Sequence, residues 1–456
     1  MEQANAALRR QLQQRDAQIA ELRERLEHAE RAGKRQAAPF SKGEPAAEPQ
    51  RPGRKPGAAY GPKARRPVPD HVDETYEARL DPRCPYCASH TVDETQVFDI
   101  YEEDIPPVRP RVRRFRVHVG RCRHCRRRIQ ARHPLQTSTA VGAAGVHLGP
   151  RLLALGAELQ KRLGTPYGKL ARLLHLAFAL SVTPSGLCLA LRRVAAVLAP
   201  TYDALVQSVR QAPVVVADET GWKVAGHLQW LWVFVSHQVT VYRILDGRGF
   251  DQACVILETH FAGILLRDGW SPYRLFVAAV HQTCLGHLIR RCTLLLETAQ
   301  RGAARLPHAL RRLLRDALAL RDHWQAHLPS ARGRAIHVGR LQARLDRYLA
   351  WQPTDPANRK LLKHLRTERE AVFTFLRHPE VEATNWQAEQ AIRPAVITRK
   401  ICGGNRTPRG AAIQSVIASV LQTCHQQGVD PFPVIADLLR SPAPRIAPLP
   451  ALLAGP

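Results

Sequence analysis

The clearest hydrophobic pattern of the chain lies in its middle third. Residues 214–222 (VVVADETGW), 228–236 (LQWLWVFVS) and 238–247 (QVTVYRILDG) are rich in β-branched and aromatic residues and are separated by short turns. This pattern predicts three consecutive strands. Residues 250–261 (FDQACVILETHF) have helical periodicity, and residues 263–270 (GILLRDGW) predict a further buried strand.

Three strands, a helix and another strand are the element order of a ribonuclease-H-like α/β fold. In that fold the first and fourth strands lie side by side and parallel. Asp218 follows the apolar residues of the first strand, and Asp268 follows those of the fourth. We therefore predict that VVVADETGW ends at Asp218 with a turn after it, and that the two carboxylates emerge near one another at corresponding strand ends.

Two such carboxylates repel each other unless a dication lies between them. A pair of Mg²⁺ ions about 3.5–4 Å apart can activate a nucleophilic oxygen and stabilise the leaving oxygen at a phosphodiester. Other nearby acids fit this role less well. Glu219 should point to the opposite side of the strand, Asp246 precedes Gly247 as in an ordinary turn, and Asp251 is expected to be a helix N-cap.

A third acid is predicted on a helix within residues 383–394 (ATNWQAEQAIRP). Thr384 is expected to cap this helix. Asn385, Glu389 and Arg393 then recur every four residues and share one helix face. A surface ion-pair face has the same spacing, so the spacing alone does not identify a site.

The N-terminal residues predict a short coiled coil. Residues 5–26 place Leu8, Leu12, Ile19 and Leu22 at heptad spacings, with charged residues between them. A solitary amphipathic helix is the alternative. The following Pro- and Gly-rich basic stretch has no hydrophobic period and predicts a flexible linker.

Two Cys-x-x-Cys motifs, CPYC (84–87) and CRHC (122–125), predict a structural zinc site. Four thiolates at this spacing can complete a tetrahedron, and we assign them as ligands: Cys84, Cys87, Cys122 and Cys125. His90 and His124 are weaker alternative ligands. The segments between the motifs alternate like strands.

Residues 148–199 predict helices with the outline of a helix-turn-helix, with Arg192 and Arg193 on its second helix. An ordinary helical hairpin has the same outline.

Composition points to a polyanionic partner. The chain has 456 residues, with 67 Lys and Arg against 39 Asp and Glu, for a formal net charge of +28. Nucleic acid is the first candidate and a membrane surface the second. No apolar stretch reaches the ~18–20 residues of a transmembrane helix, and the N-terminus has no signal core. We expect a cytoplasmic protein with mostly reduced cysteines, which favours metal over disulfides.

The motifs VVVADETGW, LLRDGW, TCLGHLIRR (283–291), TNWQAEQAIRP and RKICGGNRTPRGA occur in an order that resembles the DDE transposases of the insertion-sequence-66 family. The resemblance covers most of the chain, since that family also carries an N-terminal coiled coil, a zinc-binding segment and a helical region. The family usually has two asparagines before its acidic residue. Here the second is Trp386, which leaves the acid in place but removes a polar contact.

The resemblance implies a transposase with Asp218, Asp268 and Glu389 as its acid triad, holding catalytic Mg²⁺ (or Mn²⁺) beside a structural Zn²⁺. It implies DNA as partner, at element ends and target, with a homodimer or higher oligomer and helper proteins encoded by the same element. We expect a bacterial, nucleoid-associated protein with no membrane partner. The predicted DNA contacts are Arg192, Arg193, Arg290, Arg291, Arg393, Arg399, Lys400 and Arg406.

Some residues near these motifs have two interpretations. Cys284 and His287 could form a second metal site, but a packed helix bearing His287 near the substrate is favoured. Trp222 and Trp270 could stack on unpaired bases, but core packing is favoured. Two other functions stay open: a zinc-dependent DNA-binding protein with an inactive core, and a structure-specific nuclease of the same fold.

The predicted organisation follows from these assignments. In chain order it is a coiled coil (1–30), a basic flexible linker (31–78), a zinc ribbon (79–135), a helical helix-turn-helix-like segment (140–205), a ribonuclease-H-like catalytic core (210–400) with a helical insertion at about 293–380, and a basic C-terminal segment (401–456).

Overall fold

The computed structural model describes residues 66–90, 93–138, 146–327 and 329–453. The chain divides into two compact units, Met1–Arg109 and Pro110–Pro456. The predicted coiled coil and most of the predicted linker lie outside the described residues. In the first unit, the described residues form neither helix nor strand.

The strands predicted between the two cysteine motifs form only in part. In the second unit, β1 (Val119–Arg121) pairs antiparallel with β2 (Arg128–Gln130) around the CRHC motif. In the first unit, the prediction for residues 96–105 is wrong, since this segment forms no strand. Its apolar side chains are exposed, as Phe98 at 70% and Ile100 at 82% show, so alternation there buries nothing.

The second unit is built on a five-stranded mixed sheet. Its strands are β3 (Val214–Val224), β4 (His227–Val235), β5 (Thr240–Leu245), β6 (Ile264–Arg267) and β7 (Val280–Thr283), in the spatial order β5-β4-β3-β6-β7. The first four were predicted, and apart from the end of β3 their bounds agree within a few residues. The short strand β7 was not predicted, because its sequence VHQT is half polar.

β3 is the central strand of the sheet and has one antiparallel and one parallel neighbour. On one side it forms an antiparallel hairpin with β4, from Val216 opposite Val235 to Val224 opposite His227. On its other side β3 runs parallel to β6, with Val216 opposite Leu266. The prediction that the first and fourth strands are parallel neighbours is confirmed.

The predicted end of this strand is wrong. β3 continues through Asp218 to Val224, and Thr220 and Gly221 remain paired with β4 instead of forming a turn. The chain reverses at Ala225 and Gly226, which both have positive φ, as a two-residue hairpin turn requires. What ends near Asp218 is the parallel pairing with β6, because β6 stops at Arg267.

Helices cover both faces of the sheet. Before and within the strands lie α1 (Pro150–Ala157), followed by a π-helical turn (Glu158–Arg162), α2 (Tyr167–Phe178), α3 (Pro184–Gln211) and α4 (Phe250–Leu257). After β7 come α5 (Leu285–Thr298), α6 (Arg305–Ala326), α7 (Ala331–Leu349), α8 (Pro356–Glu368) and α9 (Thr374–Arg377). The last are α10 (Trp386–Cys402), α11 (Pro408–Gln426), α12 (Pro431–Arg440) and α13 (Pro450–Leu453). None of the described helices is long and apolar enough to cross a lipid bilayer.

Alternation along the strands separates two cores. Val216 and Leu266 point to the face that packs against α5 to α10, here called the insertion face. Val215 and Leu265 point to the opposite face, which α1, α3, α4, α11 and α12 cover. Because both faces are buried, the strands read as nearly continuous apolar runs.

The second predicted helix of the helix-turn-helix-like segment extends far into the core. Ala179, with a φ of +51°, ends α2, and the Thr183 hydroxyl caps α3 by accepting the Gly186 N–H at 3.0 Å. The later half of α3 buries Leu198 and Leu205 on the opposite face of the sheet. The helix that bears Arg192 and Arg193 is therefore continuous with the core around the five-stranded sheet.

A buried ion pair joins the helices of residues 285–377 to the end of β6. Glu368, at the end of α8, is completely buried at its side chain and accepts hydrogen bonds from Arg267 and, at 3.1 Å, from Arg274. Arg267 also donates to the carbonyl of Asp268 at 3.1 Å. Removing one partner of such a pair leaves an uncompensated buried charge.

We expect Glu368→Gln to lower the free energy of unfolding by about 3–5 kcal/mol, because two guanidinium groups lose their counter-charge. Urea unfolding followed by circular dichroism measures this loss. Glu370→Gln is the matched control, since Glu370 is 76% exposed at its side chain and should change stability by less than about 0.5 kcal/mol. Equal effects of the two substitutions would contradict a structural role for the Glu368 carboxylate.

Candidate active site

The strand register brings Asp218 and Asp268 to one end of the sheet. Val216 and Leu266 are paired across the parallel strands, and each aspartate follows two residues later. Continued alternation places both side chains on the insertion face. The Trp270 N–H donates to Asp268 Oδ1 at 2.8 Å, and the Glu219 N–H donates to Asp218 Oδ1 at 2.9 Å.

Glu389 lies on a helix that packs on this same face. The inner side of α10 is made of small and aliphatic residues, including Ala388, Ala391 and Ala395, which lets it approach β3 and β4 closely. The helix begins one residue later than predicted, with Asn385 at the N-cap in place of Thr384. Glu389 is in its first turn, where the helix dipole favours a carboxylate.

The carboxylates interact electrostatically. The pKa of Asp218 is raised from 3.8 to about 7, mainly by burial and further by the negative charges of Glu219, Asp268 and Glu389. Mutual repulsion of this kind is what a bound dication relieves. An all-oxygen ligand set suits Mg²⁺ or Mn²⁺. As the side chains stand, no three His, Cys, Asp or Glu groups of the described residues converge closely enough to hold a metal ion.

Glu219 has a different environment from Asp218. As expected, it points to the opposite face, where it accepts hydrogen bonds from Tyr273 Oη and from Arg248 Nε at 2.7 Å. Burial raises the pKa of Glu219, and its two hydrogen-bonding partners oppose that shift. The guanidinium of Arg248 lies 4.0 Å from the ring centre of Trp270. Glu219 is therefore a buried, partnered acid of the core.

His287 lies beside the third acid. Its Nε2 is 3.8 Å from Glu389 Oε1. Cys284 is buried at the N-cap of α5, and its Sγ accepts the Asn385 N–H at 3.4 Å. The Cys-x-x-His motif thus connects α5 to the start of α10, an arrangement that agrees with the favoured interpretation of a packed helix.

The GGN motif after α10 completes the β3–β4 hairpin. Asn405 donates its N–H to the Lys223 carbonyl at 2.8 Å and accepts the Ala225 N–H at 2.9 Å. Its Oδ1 accepts the Trp222 indole N–H at 2.8 Å. Gly404 has a φ of +104°, and a Cβ there would collide with the Lys223 carbonyl. Trp222 is buried, as the favoured core-packing interpretation expected.

The predicted DNA contacts differ in exposure. Six of them are exposed: Arg192, Arg193, Arg290, Arg393, Lys400 and Arg406. Arg291 is partly buried, and burial lowers its pKa. Arg399 donates to Thr220 Oγ1 at 3.0 Å and to the Gly221 carbonyl, so its guanidinium supports the strand that carries Asp218.

Each cysteine motif forms the same local turn. In CPYC, Ala88 donates its N–H to the Cys84 carbonyl at 2.8 Å, and in CRHC, Arg126 donates to the Cys122 carbonyl at 3.0 Å. Ala88 and Arg126 both have a left-handed φ near +60°. Backbone N–H groups lower the pKa of the Cys84 and Cys122 thiols, which favours the metal-binding thiolate.

Sequence reasoning missed several residues that support the site. Three hydrogen bonds involve a residue next to an acid or on the same strand as one: Arg248 with Glu219, Glu368 with Arg267, and Asn405 with Trp222. The partners in each pair lie far apart in the sequence. The only local signal in the sequence for any of them is the glycine pair before Asn405, because glycines allow close backbone approach.

Comparisons with known proteins identify the family. The transposase IS66 family model matches residues 145–413, which include the three acids. The uncharacterized protein y4qI of Sinorhizobium fredii (strain NBRC 101917 / NGR234) is 28% identical over 267 residues. That alignment covers 52% of this chain and 49% of the relative, so the chain spans about half the length of the curated relative it matches.

The pKa of Asp218 predicts a pH-dependent stability. The folded state binds the proton of the Asp218 carboxyl more tightly than the unfolded state does. The resulting contribution to the free energy of unfolding is complete below about pH 4 and is lost as the pH rises through about 7. In metal-free buffer, Asp218→Asn should therefore be more stable than wild type at pH 8, by about 1–3 kcal/mol, and the difference should shrink towards pH 4. Thermal unfolding at several pH values measures it.

The control for this experiment is Asp246→Asn, which removes an exposed carboxylate of a turn. Its effect should be small and independent of pH. A pH-independent effect of Asp218→Asn would contradict the shifted pKa.

Proposed function

The chain belongs to the transposase IS66 family, and from this premise we propose that it cuts and joins DNA with the carboxylates of Asp218, Asp268 and Glu389. The observation that carries the proposal is the position of these acids on one face of the sheet. The β3–β6 register and the packing of α10 on the same face support it. The pKa of Asp218 is raised mainly by burial, and the charges of Asp268 and Glu389 contribute to the shift. The sheet order β5-β4-β3-β6-β7 is compatible with a ribonuclease-H-like core.

The three acids would hold Mg²⁺ or Mn²⁺. When bound, two such ions activate an attacking oxygen and stabilise a leaving oxygen at phosphorus. Residues of the chain set the protonation and orientation that the three carboxylates need for metal binding. Asp218 must lose its proton, Asp268 is oriented by the Trp270 N–H, and Glu389 is oriented by the first turn of α10.

The reaction proceeds in two phosphoryl transfers at one site. Water attacks the phosphodiester at the element end and gives up a proton, while the bond from phosphorus to the 3′-oxygen breaks and that oxygen takes up a proton to become a free hydroxyl. That 3′-hydroxyl then attacks a target phosphodiester, forming one new P–O bond as another breaks. Because both nucleophiles are oxygens that the site aligns, no covalent bond between protein and DNA is required.

The remaining parts of the chain would hold DNA and partners. The exposed cations Arg192, Arg193, Arg290, Arg393, Lys400 and Arg406 are proposed phosphate contacts, since Arg and Lys neutralise the DNA backbone. Cys84, Cys87, Cys122 and Cys125 are proposed to bind one Zn²⁺ in a ribbon. We further propose that residues 1–30 pair protomers and that helper proteins of the same element assist.

The cleavage experiment uses a duplex with the terminal DNA that flanks the gene. We expect the wild type to nick it in Mg²⁺ and EDTA to stop the reaction. Asp218→Asn, Asp268→Asn and Glu389→Gln should each lower the rate by at least roughly 1,000-fold, since each removes a metal ligand. Asp246→Asn is the matched control and should cut at the wild-type rate.

Joined products distinguish the remaining functions. A transposase transfers the freed 3′ end to a target plasmid, whereas a nuclease of the same fold only cuts. A DNA-binding protein with an inactive core would give equal products from wild type and Asp218→Asn. A trapped covalent protein–DNA adduct would refute the mechanism.

The zinc ribbon has a separate test. Purified wild-type protein should contain about one zinc ion per chain by atomic absorption, and Cys84→Ser and Cys122→Ser should each lose it, because a three-thiolate site binds zinc more weakly. Cys188→Ser, which removes an exposed cysteine outside both motifs, is the control. If both Cys84→Ser and Cys122→Ser retain zinc, the assignment of these cysteines as zinc ligands is wrong.

A further inference from the structure

The outer side of α10 carries an exposed tryptophan. Trp386 is the first residue of the helix, and 44% of it is exposed. The six other tryptophans of the chain are buried or half-buried. In the described part of the chain, neither a hydrogen bond nor a ring contact involves the Trp386 indole. Single exposed apolar side chains are common on protein surfaces, so the neighbours of Trp386 on the helix decide what it can bind.

Trp386 shares a stripe of the helix with the third acid and with cations. Glu389 lies three residues after it and Arg393 seven residues after it, so the three side chains lie on one helix face. Lys400 continues the same stripe and is exposed, as Arg393 is. Trp386 and Arg393 are separated by about 10 Å along the axis, which a base and a nearby phosphate of one DNA strand can span.

We propose that Trp386 is a base-stacking residue, whose indole packs on an unpaired base beside the phosphodiester at the acid cluster while Arg393 and Lys400 contact the flanking phosphates. This inference rests on the proposed function, because that function brings DNA to Glu389. Aromatic rings interleaved with cations are the pattern of single-strand binding surfaces. Stacking tolerates any base, because every base has a π-face.

A second copy of the chain is the competing occupant. Ile397 and Ile401 are also exposed on α10, at 54% and 51%, and with Trp386 they could form an apolar interface. The charges favour DNA. Glu389, Arg393 and Lys400 lie along the same stripe, and charged residues are depleted at the centre of protein interfaces.

The experiment measures DNA binding in the full-length Asp218→Asn background without Mg²⁺, so that cleavage cannot intervene. The probe is a duplex with a single-stranded tail that carries 2-aminopurine at successive positions near the junction. We expect quenching of 2-aminopurine fluorescence at one position. Trp386→Ala should abolish this quenching and weaken binding of the tailed duplex roughly 10- to 100-fold, with little effect on a fully paired duplex.

Three variants sharpen this test. Trp386→Phe keeps an aromatic face and should keep most of the affinity, whereas Trp386→Asn should behave like Trp386→Ala. Ile336→Ala removes an exposed apolar side chain of α7 and should leave binding unchanged. Unchanged thermal unfolding of Trp386→Ala establishes that its fold is intact.

The outcomes separate the two hypotheses. Wild-type quenching and affinity in Trp386→Ala would overturn the stacking role. If Trp386→Ala changes the sedimentation mass and loses equal affinity for the tailed and the fully paired duplex, Trp386 belongs to a protomer interface. That result would also overturn the stacking role. If wild-type protein shows no acid-dependent cleavage but Trp386-dependent quenching persists, then the proposed catalytic function fails while base stacking stands.

Discussion

The parallel pairing of β3 with β6 is the constraint on which the rest of the site depends. Val214, Val215 and Val216 pair with three apolar residues of β6, and this register alone determines that Asp218 and Asp268 are neighbours. A slip of one residue would turn one aspartate to the opposite face. Both faces of these strands pack in buried cores, and on the opposite face Glu219 is paired with Arg248 and Tyr273.

The molecule treats its buried acids in two ways. Glu219 is matched by Arg248 and Tyr273, and Glu368 is matched by Arg267 and Arg274. Asp218 accepts a hydrogen bond from the Glu219 N–H, and its pKa is raised mainly by burial and further by the acids around it. Glu219 and Glu368 are therefore paired with guanidinium groups, whereas no salt bridge of the described residues involves Asp218, which agrees with the metal site proposed there.

The helix α10 connects the core of the protein to the end of the sheet that carries Asp218. Its alanine-rich inner side packs on the insertion face, and Arg399 near its end donates to the residues that follow Asp218 on β3. The GGN segment then adds Asn405 to the tip of the same hairpin. Glu389 is thus positioned relative to Asp218 by contacts at both ends of the helix. Its outer side is left free to present Trp386 and the cations.

The sequence by itself determined the local features, because they depend on residue type and short-range periodicity. It predicted four of the five strands, the parallel neighbours, the orientation of Glu219 towards the opposite face of the sheet, and the family motifs around Asp218, Asp268 and Glu389. It misplaced the end of β3, since hairpin pairing with β4 outweighs the turn preference of Thr220–Gly221. Only the tertiary structure decided the partners of Glu368, Arg399 and Trp222, because those contacts join residues more than 90 positions apart.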